Sequence, residues 1–306
     1  MTAAATPTRT APAGPATPPA DPPDRTPPAT ARRKHRAWDE VPRWQIYLPL
    51  GVYLVFTLVP FYWILLFAVR PAGSTSLLPW PMTTEHFEKV WTDRSFGVFF
   101  QNSLLIGVAV LISTTLVALA GGYALARFEF RIKKGFMLAL LCSQFVPGAL
   151  LLVPLFQIFA ELRMINSIGS VILAETVFQL PLSMILISGF IRNVPPSLEE
   201  AAWVDGCSRF RAFLIVVLPL LRPGLVAVGS FAFVHAWNHF LFALMFLSSQ
   251  SKQTIPVGLN TLMGADSVDL GALAAGGVIA AVPVVIVFAF IQKWLVTGFS
   301  AGAVKG

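Results

Sequence analysis

Six long apolar runs, at residues 46–69, 98–125, 135–160, 168–191, 224–247 and 271–292, alternate with short polar segments. Each reaches the roughly 20 residues that an α-helix rising about 1.5 Å per residue needs to cross a hydrocarbon core of about 30 Å. The pattern predicts an all-α integral membrane protein with six transmembrane helices. Trp44 stands at the inner edge of the first run, where an indole suits the interface. The segment from Arg70 to Phe96, with Trp80, Glu85, Trp91 and Asp93, reads as an external loop with room for a short helix.

Polar residues and prolines interrupt the later runs. The third carries Gln144, Pro147, Pro154 and Gln157. Prolines at such depths break the backbone ladder, and the freed carbonyls must face protein or a wet cavity rather than lipid. This helix either lines a pathway or holds an ordinary kink packed inside the bundle. The fourth run includes Glu175, Gln179 and Pro181, the fifth His235, Trp237, Asn238 and His239, and the sixth Pro283.

The longest polar interruption in the second half is PPSLEEAAWVDGCSRFRAFLIVVLPLLRP, residues 195–223. Ser197 followed three residues later by Glu200 has the spacing of a capping box at a helix start. Gly206, two turns on, suits the positive φ that ends such a helix. The expectation is a short helix, a bend at Gly206 and a second helix bearing Arg209, Arg211 and Phe213. Ala201 and Ala202 leave one side of the first helix bare enough for another protein to approach. On helix physics alone the segment is equally a connector between two membrane helices.

Composition supports the membrane reading, with 56% hydrophobic and 12% charged residues. The net charge of +7 does not point to nucleic acid, because the basic residues are spread over membrane-adjacent loops. With the N-terminus inside, 17 of the 22 Lys and Arg fall in the tail, the 127–134 loop, the 195–223 loop with its flank, and the C-terminus. Arg70, Lys89, Arg94, Arg163 and Lys252 remain outside. That asymmetry places both termini in the cytoplasm. Residues 1–37, rich in Ala and Pro and ending in Arg32-Arg33-Lys34-His35-Arg36, read as a disordered cytoplasmic tail beside anionic lipid. A twin-arginine export signal does not fit, since the following apolar run is too long for a signal segment. Cys142 and Cys207 are expected to be free thiols.

Catalytic and metal chemistry have little support. His235 and His239 have the i, i+4 spacing of a zinc pair, but Ala236 occupies the position of a metalloprotease base and no third ligand suggests itself. Glu175 is a lone charge within a span; it either faces a cavity or partner, or lies at the interface. No Gly-x-x-x-x-Gly-Lys-Ser/Thr phosphate loop occurs, so no means of hydrolysing ATP is visible.

Glu200-Ala201-Ala202-x-x-Asp205-Gly206, with Phe213, Leu218-Pro219 and Pro223, resembles the EAA loop of permease subunits of binding-protein-dependent ABC importers. Cys207 stands where that family most often has Ala. Trp237-Asn238-x-Phe240-Leu241, Thr254-Ile255-Pro256-Val257-Gly258-Leu259 and the terminal Gly302-Ala303-Val304-Lys305-Gly306 resemble the carbohydrate branch, specifically the maltose-type second permease subunit. The resemblance implies a type I ABC importer permease fold in the cytoplasmic membrane, with residues 195–223 forming the coupling loop. Its permease core spans 98–296, preceded by a first helix and external loop at 38–97 and followed by a cytoplasmic tail at 297–306. The implied partners are a second homologous permease, two ATP-binding cassette subunits that hold ATP and Mg, and an extracytoplasmic solute-binding protein, with a carbohydrate as cargo. No cofactor is expected on this chain itself. Ser197, Glu200, Ala201, Ala202, Asp205 and Gly206 are the expected coupling residues; Gln144, Gln179, His235, Asn238 and His239 are candidates for the sugar pathway. The alternative is a stand-alone ion-coupled transporter or channel, which needs paired ionisable residues at mid-membrane.

Overall fold

The computed structural model describes residues 42–93, 95–263 and 268–303, and it is helical throughout apart from one isolated bridge, Met263 to Val268. The expected disordered tail lies outside the described residues. The chain divides into two units at Thr57–Leu58. The described part of the first is the opening half of helix α1 (Arg43–Val69), whose apolar side chains are exposed, as lipid- or partner-facing groups of a membrane helix are. The second unit carries everything else.

In that unit a short helix, α2 (Glu85–Glu88), passes into one π turn (Lys89–Asp93) within the segment read as an external loop. Helix α3 (Phe96–Arg127) then pairs along its length with α6 (Ile168–Arg192). The buried stripe of α3 includes Ser103, Gly107, Thr114, Ala118 and Gly122, mostly one turn apart. Small residues let two backbones approach closely where lipid supplies no hydrophobic drive. At Gly122 an added Cβ would lie 2.7 Å from Ile187 Cγ2 and 3.1 Å from the Ser188 backbone nitrogen, so a larger residue would force the pair apart.

The third apolar run is not one straight helix. It forms α4 (Lys133–Ser143), a 3₁₀ turn (Gly148–Leu151) and α5 (Leu152–Glu161), with a bend of 94° across the break. Pro147, extended at ψ 127°, makes the break. Pro154 does not contribute to it, contrary to the expectation. It sits in the first turn of α5, where an N–H has no intrahelical partner to lose.

The fifth run also departs from its expected bounds. Helix α7 (Pro196–Val204) leads to α8 (Arg209–Ala212, continued by a π turn at Phe213–Val217 and by Leu218–Leu220), and then to α9 (Arg222–Asn238) at 75°. Pro219 and Pro223 cannot continue a ladder, which places the bend between them. The chain turns extended at His239 (ψ 121°) before α10 (Leu241–Phe246), so the bent crossing is 209–238 rather than a single helix over 224–247. Asn238 assists the stop, because its Nδ2 donates to Val234 O, 2.9 Å away and one turn back.

A short helix α11 (Ile255–Thr261) precedes α12 (Leu270–Ala303), which continues past the expected end of the sixth run. Pro283 inside α12 disturbs the local ladder, and Trp237 Nε1 donates to Ala280 O at 3.0 Å. Among the described residues four helices are long and apolar enough to cross a membrane, and six crossings result if each bent pair is one span. That matches the expected count.

Candidate functional site

Helix α7 and its turn form the first site. Helix α7 ends in a Schellman arrangement: Gly206 has φ +86°, its N–H donates to Trp203 O at 3.0 Å, and Cys207 N–H donates to Ala202 O at 2.9 Å. Ser208 then caps α8, its Oγ accepting from Arg211 N–H at 3.3 Å. The bend expected at Gly206 is therefore present.

The expected capping box is not. Pro195 is the N-cap and Pro196 the first helical residue, and no side chain caps this end. Pro196 fixes φ at a helical value and lacks an N–H, so the helix begins there and Ser197 falls inside the first turn. Glu200 points outward and is exposed. Ala202 is a second correction, because it is buried against the bundle rather than offered to a partner. The outward face comprises Glu200, Ala201, Trp203, Val204, Asp205 and Gly206, with Val204 88% exposed.

Glu199, which sequence reasoning passed over, anchors this helix. It is buried, with Oε1 2.6 Å from Arg127 Nε and Oε2 accepting from Tyr123 OH at 2.7 Å. Arg127 also donates to Val194 O at 2.9 Å. The end of α3 is thus pinned to both the start of α7 and the segment before it. Two signals were available: Glu199 and Ala202 share a face at i, i+3, and Tyr123 and Arg127 share one at i, i+4 on α3. Beside this junction a cavity of about 620 Å³ is lined by Tyr123, Arg127, Trp203, Arg209, Phe210 and Phe213, among others. The Arg209 guanidinium lies 5.1 Å from the Trp203 ring, holding α8 against α7 across the turn.

The second site lies within the spans. Glu175 is fully buried, with Oε2 3.1 Å from His235 Nδ1 and Oε1 2.7 Å from His239 Nδ1; the second contact is close but out of line for a hydrogen bond. The lone charge therefore has partners and is buried inside the bundle. Both histidines turn Nδ1 toward the carboxylate, and among the described residues no group of three His, Cys, Asp or Glu has metal-holding geometry. Asn238 is exposed on the same helix as His235. Gln179 stands half-buried one turn beyond Glu175, while Gln144 is exposed at the break after α4.

Outside the spans, Asp269 caps α12 by accepting from Ala272 N–H at 3.0 Å and pairs with Lys89 at 2.7 Å. The Lys89 ammonium, followed by that backbone bond, holds its carboxyl below the usual range.

Comparison with known proteins gives a consistent picture. The family described as the inner membrane component of binding-protein-dependent transport systems matches residues 118–300. The diacetylchitobiose uptake system permease DasC of Streptomyces coelicolor is 34% identical over 252 residues, covering 81% of this chain and 91% of that protein. The melibiose/raffinose/stachyose import permease MelC of Bacillus subtilis is 32% identical over 253 residues, covering 81% and 91%. Among solved structures, a chain of a bacterial ABC transporter that imports the acidic polysaccharide alginate superposes with a TM-score of 0.71 at 19% identity, over 85% of this chain and 97% of that one. That likeness concerns the fold. With the family match, the relatives, the helical fold and the EAA-type turn all in agreement, the chain belongs to the inner membrane permease subunits of binding-protein-dependent ABC transporters.

Proposed function

We propose that this subunit forms half of the translocation pathway of a sugar or oligosaccharide importer, driven by ATP hydrolysis on partner subunits. The observation that carries the coupling role is the α7–turn–α8 unit. Its outer face is exposed and partly apolar, while its inner face is tied to α3 through Glu199, Arg127 and Tyr123. A nine-residue helix is marginal alone, so its shape depends on that tie and on what covers its outer face. Two ATP-binding cassette subunits are the proposed cover. In this scheme their closure moves α7, the buried ion pair passes the displacement to α3, and the close α3–α6 contact carries it into the spans. A second related permease completes the cavity, and a solute-binding protein delivers cargo on the opposite side.

The sugar class is supported by relatives named for diacetylchitobiose and for melibiose, raffinose and stachyose. A stand-alone ion-coupled transporter gains one supporting observation, the pairing of Glu175 with two histidines. Membership of a binding-protein-dependent family opposes it. The test is reconstitution of this chain with its permease partner, ATPase and binding protein. Uptake of labelled diacetylchitobiose, melibiose or maltose is expected to require both ATP and the binding protein. Uptake driven by an ion gradient without either would overturn the proposal.

A further inference from the structure

We infer that buried Glu175 organises His235 and His239 into a hydroxyl-binding subsite for a neutral sugar, at one end of an exposed track along α9. This deepens the importer reading and rests on it. A carboxylate only accepts hydrogen bonds, so His235 Nδ1, which is hydrogen-bonded to Glu175, carries the proton, and Nε2 across the ring is the atom directed away. The two imidazoles stack with centroids 5.3 Å apart and planes 25° from parallel, and His239 leans on Phe242 at 4.5 Å. Their orientation is therefore set by one buried carboxyl group and an aromatic wall. A purely structural trio would bury both rings, yet the His235 side chain is 48% exposed.

The depth matters. Glu175 is the eighth residue of α6, about 10 Å from that helix's start and within the apolar thickness. A half-exposed imidazole turned to lipid there is costly, whereas one turned to a wet pathway is not. Phe231, His235 and Asn238 are exposed at i, i+4 and i+7 on α9, a stripe about 10 Å long that presents an aromatic face, an imidazole and an amide. Asn238 Nδ2 is tied to Val234 O, which leaves Oδ1 as an acceptor. Asn238 also lines a cavity of about 390 Å³ with Trp237, Phe240 and Asn260, a size within the range of small-molecule sites. Aromatic faces with hydroxyl-bonding groups and no exposed ion suit a neutral carbohydrate better than an acidic or cationic one. Two sugar rings end to end span such a stripe.

The experiment uses the whole complex with Cys142→Ser and Cys207→Ser, carrying single cysteines at His235, Asn238 or, as a buried control on the same helix, Ala232. A charged, membrane-impermeant methanethiosulfonate reacts with thiolates in water and not in lipid. His235→Cys and Asn238→Cys are expected to react and Ala232→Cys to resist; no reaction at the first two overturns the inference. This readout needs no transported sugar, so failure of the wild type to take up maltose, melibiose and diacetylchitobiose counts against the importer reading separately. For whichever of the three is taken up, Glu175→Gln is expected to raise the transport KM about tenfold while Vmax stays within about twofold, since one ring loses its fixed tautomer. An unchanged KM overturns the inference. Should Glu175→Gln fail to accumulate, His235→Gln at its half-exposed position gives the same KM reading.

Discussion

Glu199 and Glu200 are neighbours with opposite surroundings, and the difference decides what each does. Glu199 is buried with Arg127 and Tyr123, while Glu200 is exposed on the face proposed to meet the ATPase. Removing one member of a buried ion pair leaves the other uncompensated, so Glu199→Ala or Arg127→Ala is expected to cost about 3 kcal/mol. The measurement is the thermal midpoint of the purified complex, and the double variant Glu199→Gln/Arg127→Met should recover part of the loss. Ser197→Ala, by contrast, should change stability by less than about 0.5 kcal/mol, because the hydroxyl caps nothing. Gly206→Val differs again. An added Cβ meets no atom within 4 Å, so the whole penalty is the positive φ, about 1–3 kcal/mol confined to the loop. Uptake should fall while membrane abundance holds; normal uptake at normal abundance would make the turn a mere connector. The turn was legible because only Gly suits that φ. The capping box does not form because Pro195 and Pro196, immediately before Ser197, set the helix start first.

At the level of elements, the apolar runs located the straight crossings well, since length and composition alone define them. The bent ones were half legible. Pro147 signalled a break and the structure has one, but Pro154 looked equivalent and is harmless by its place in a first turn. The shift of the fifth crossing to 209–238 was hidden because residues 241–246 are as apolar as those before them. What ends α9 is Asn238 bonding back on Val234 and His239 turning to Glu175, a tertiary partner no window of sequence contains. The start of α12 offers a test on an element outside the spans. Asp269 has a depressed pKa, so its pair with Lys89 contributes stability above the unfolded value of about 3.9 and loses it as pH falls through the lower folded value. Both side chains are a third or more exposed, which limits the effect to less than about 1 kcal/mol. Asp269→Asn, which keeps a capping oxygen, is expected to lower the thermal midpoint slightly at pH 7 and to match the wild type in acid, so that the acid dependence disappears.

At the level of the whole molecule, the family assignment and the absence of a phosphate loop from the sequence separate the pathway from the motor. The purified chain alone is expected to show no ATPase activity, and measurable hydrolysis by it would remove the basis for a partner-driven pathway. Orientation has a native reporter. Cys207 is half-buried at the turn after α7 and Cys142 is exposed near the end of α4; both are free thiols. With Cys142 replaced by Ser, a membrane-impermeant thiol reagent reports on Cys207 alone. If the basic loops lie inside, as the distribution of Lys and Arg predicts, the reagent misses Cys207 in intact cells and reaches it in inside-out vesicles. Because Cys207 N–H closes the Schellman turn, the thiol sits beside the face assigned to the ATPase. Adding the ATPase to stripped vesicles should therefore slow labelling several-fold, and Gly206→Val should weaken that protection by deforming the turn. Rapid labelling from outside would invert the topology. Labelling from inside that the ATPase leaves unchanged would keep the topology but move the docking surface away from α7.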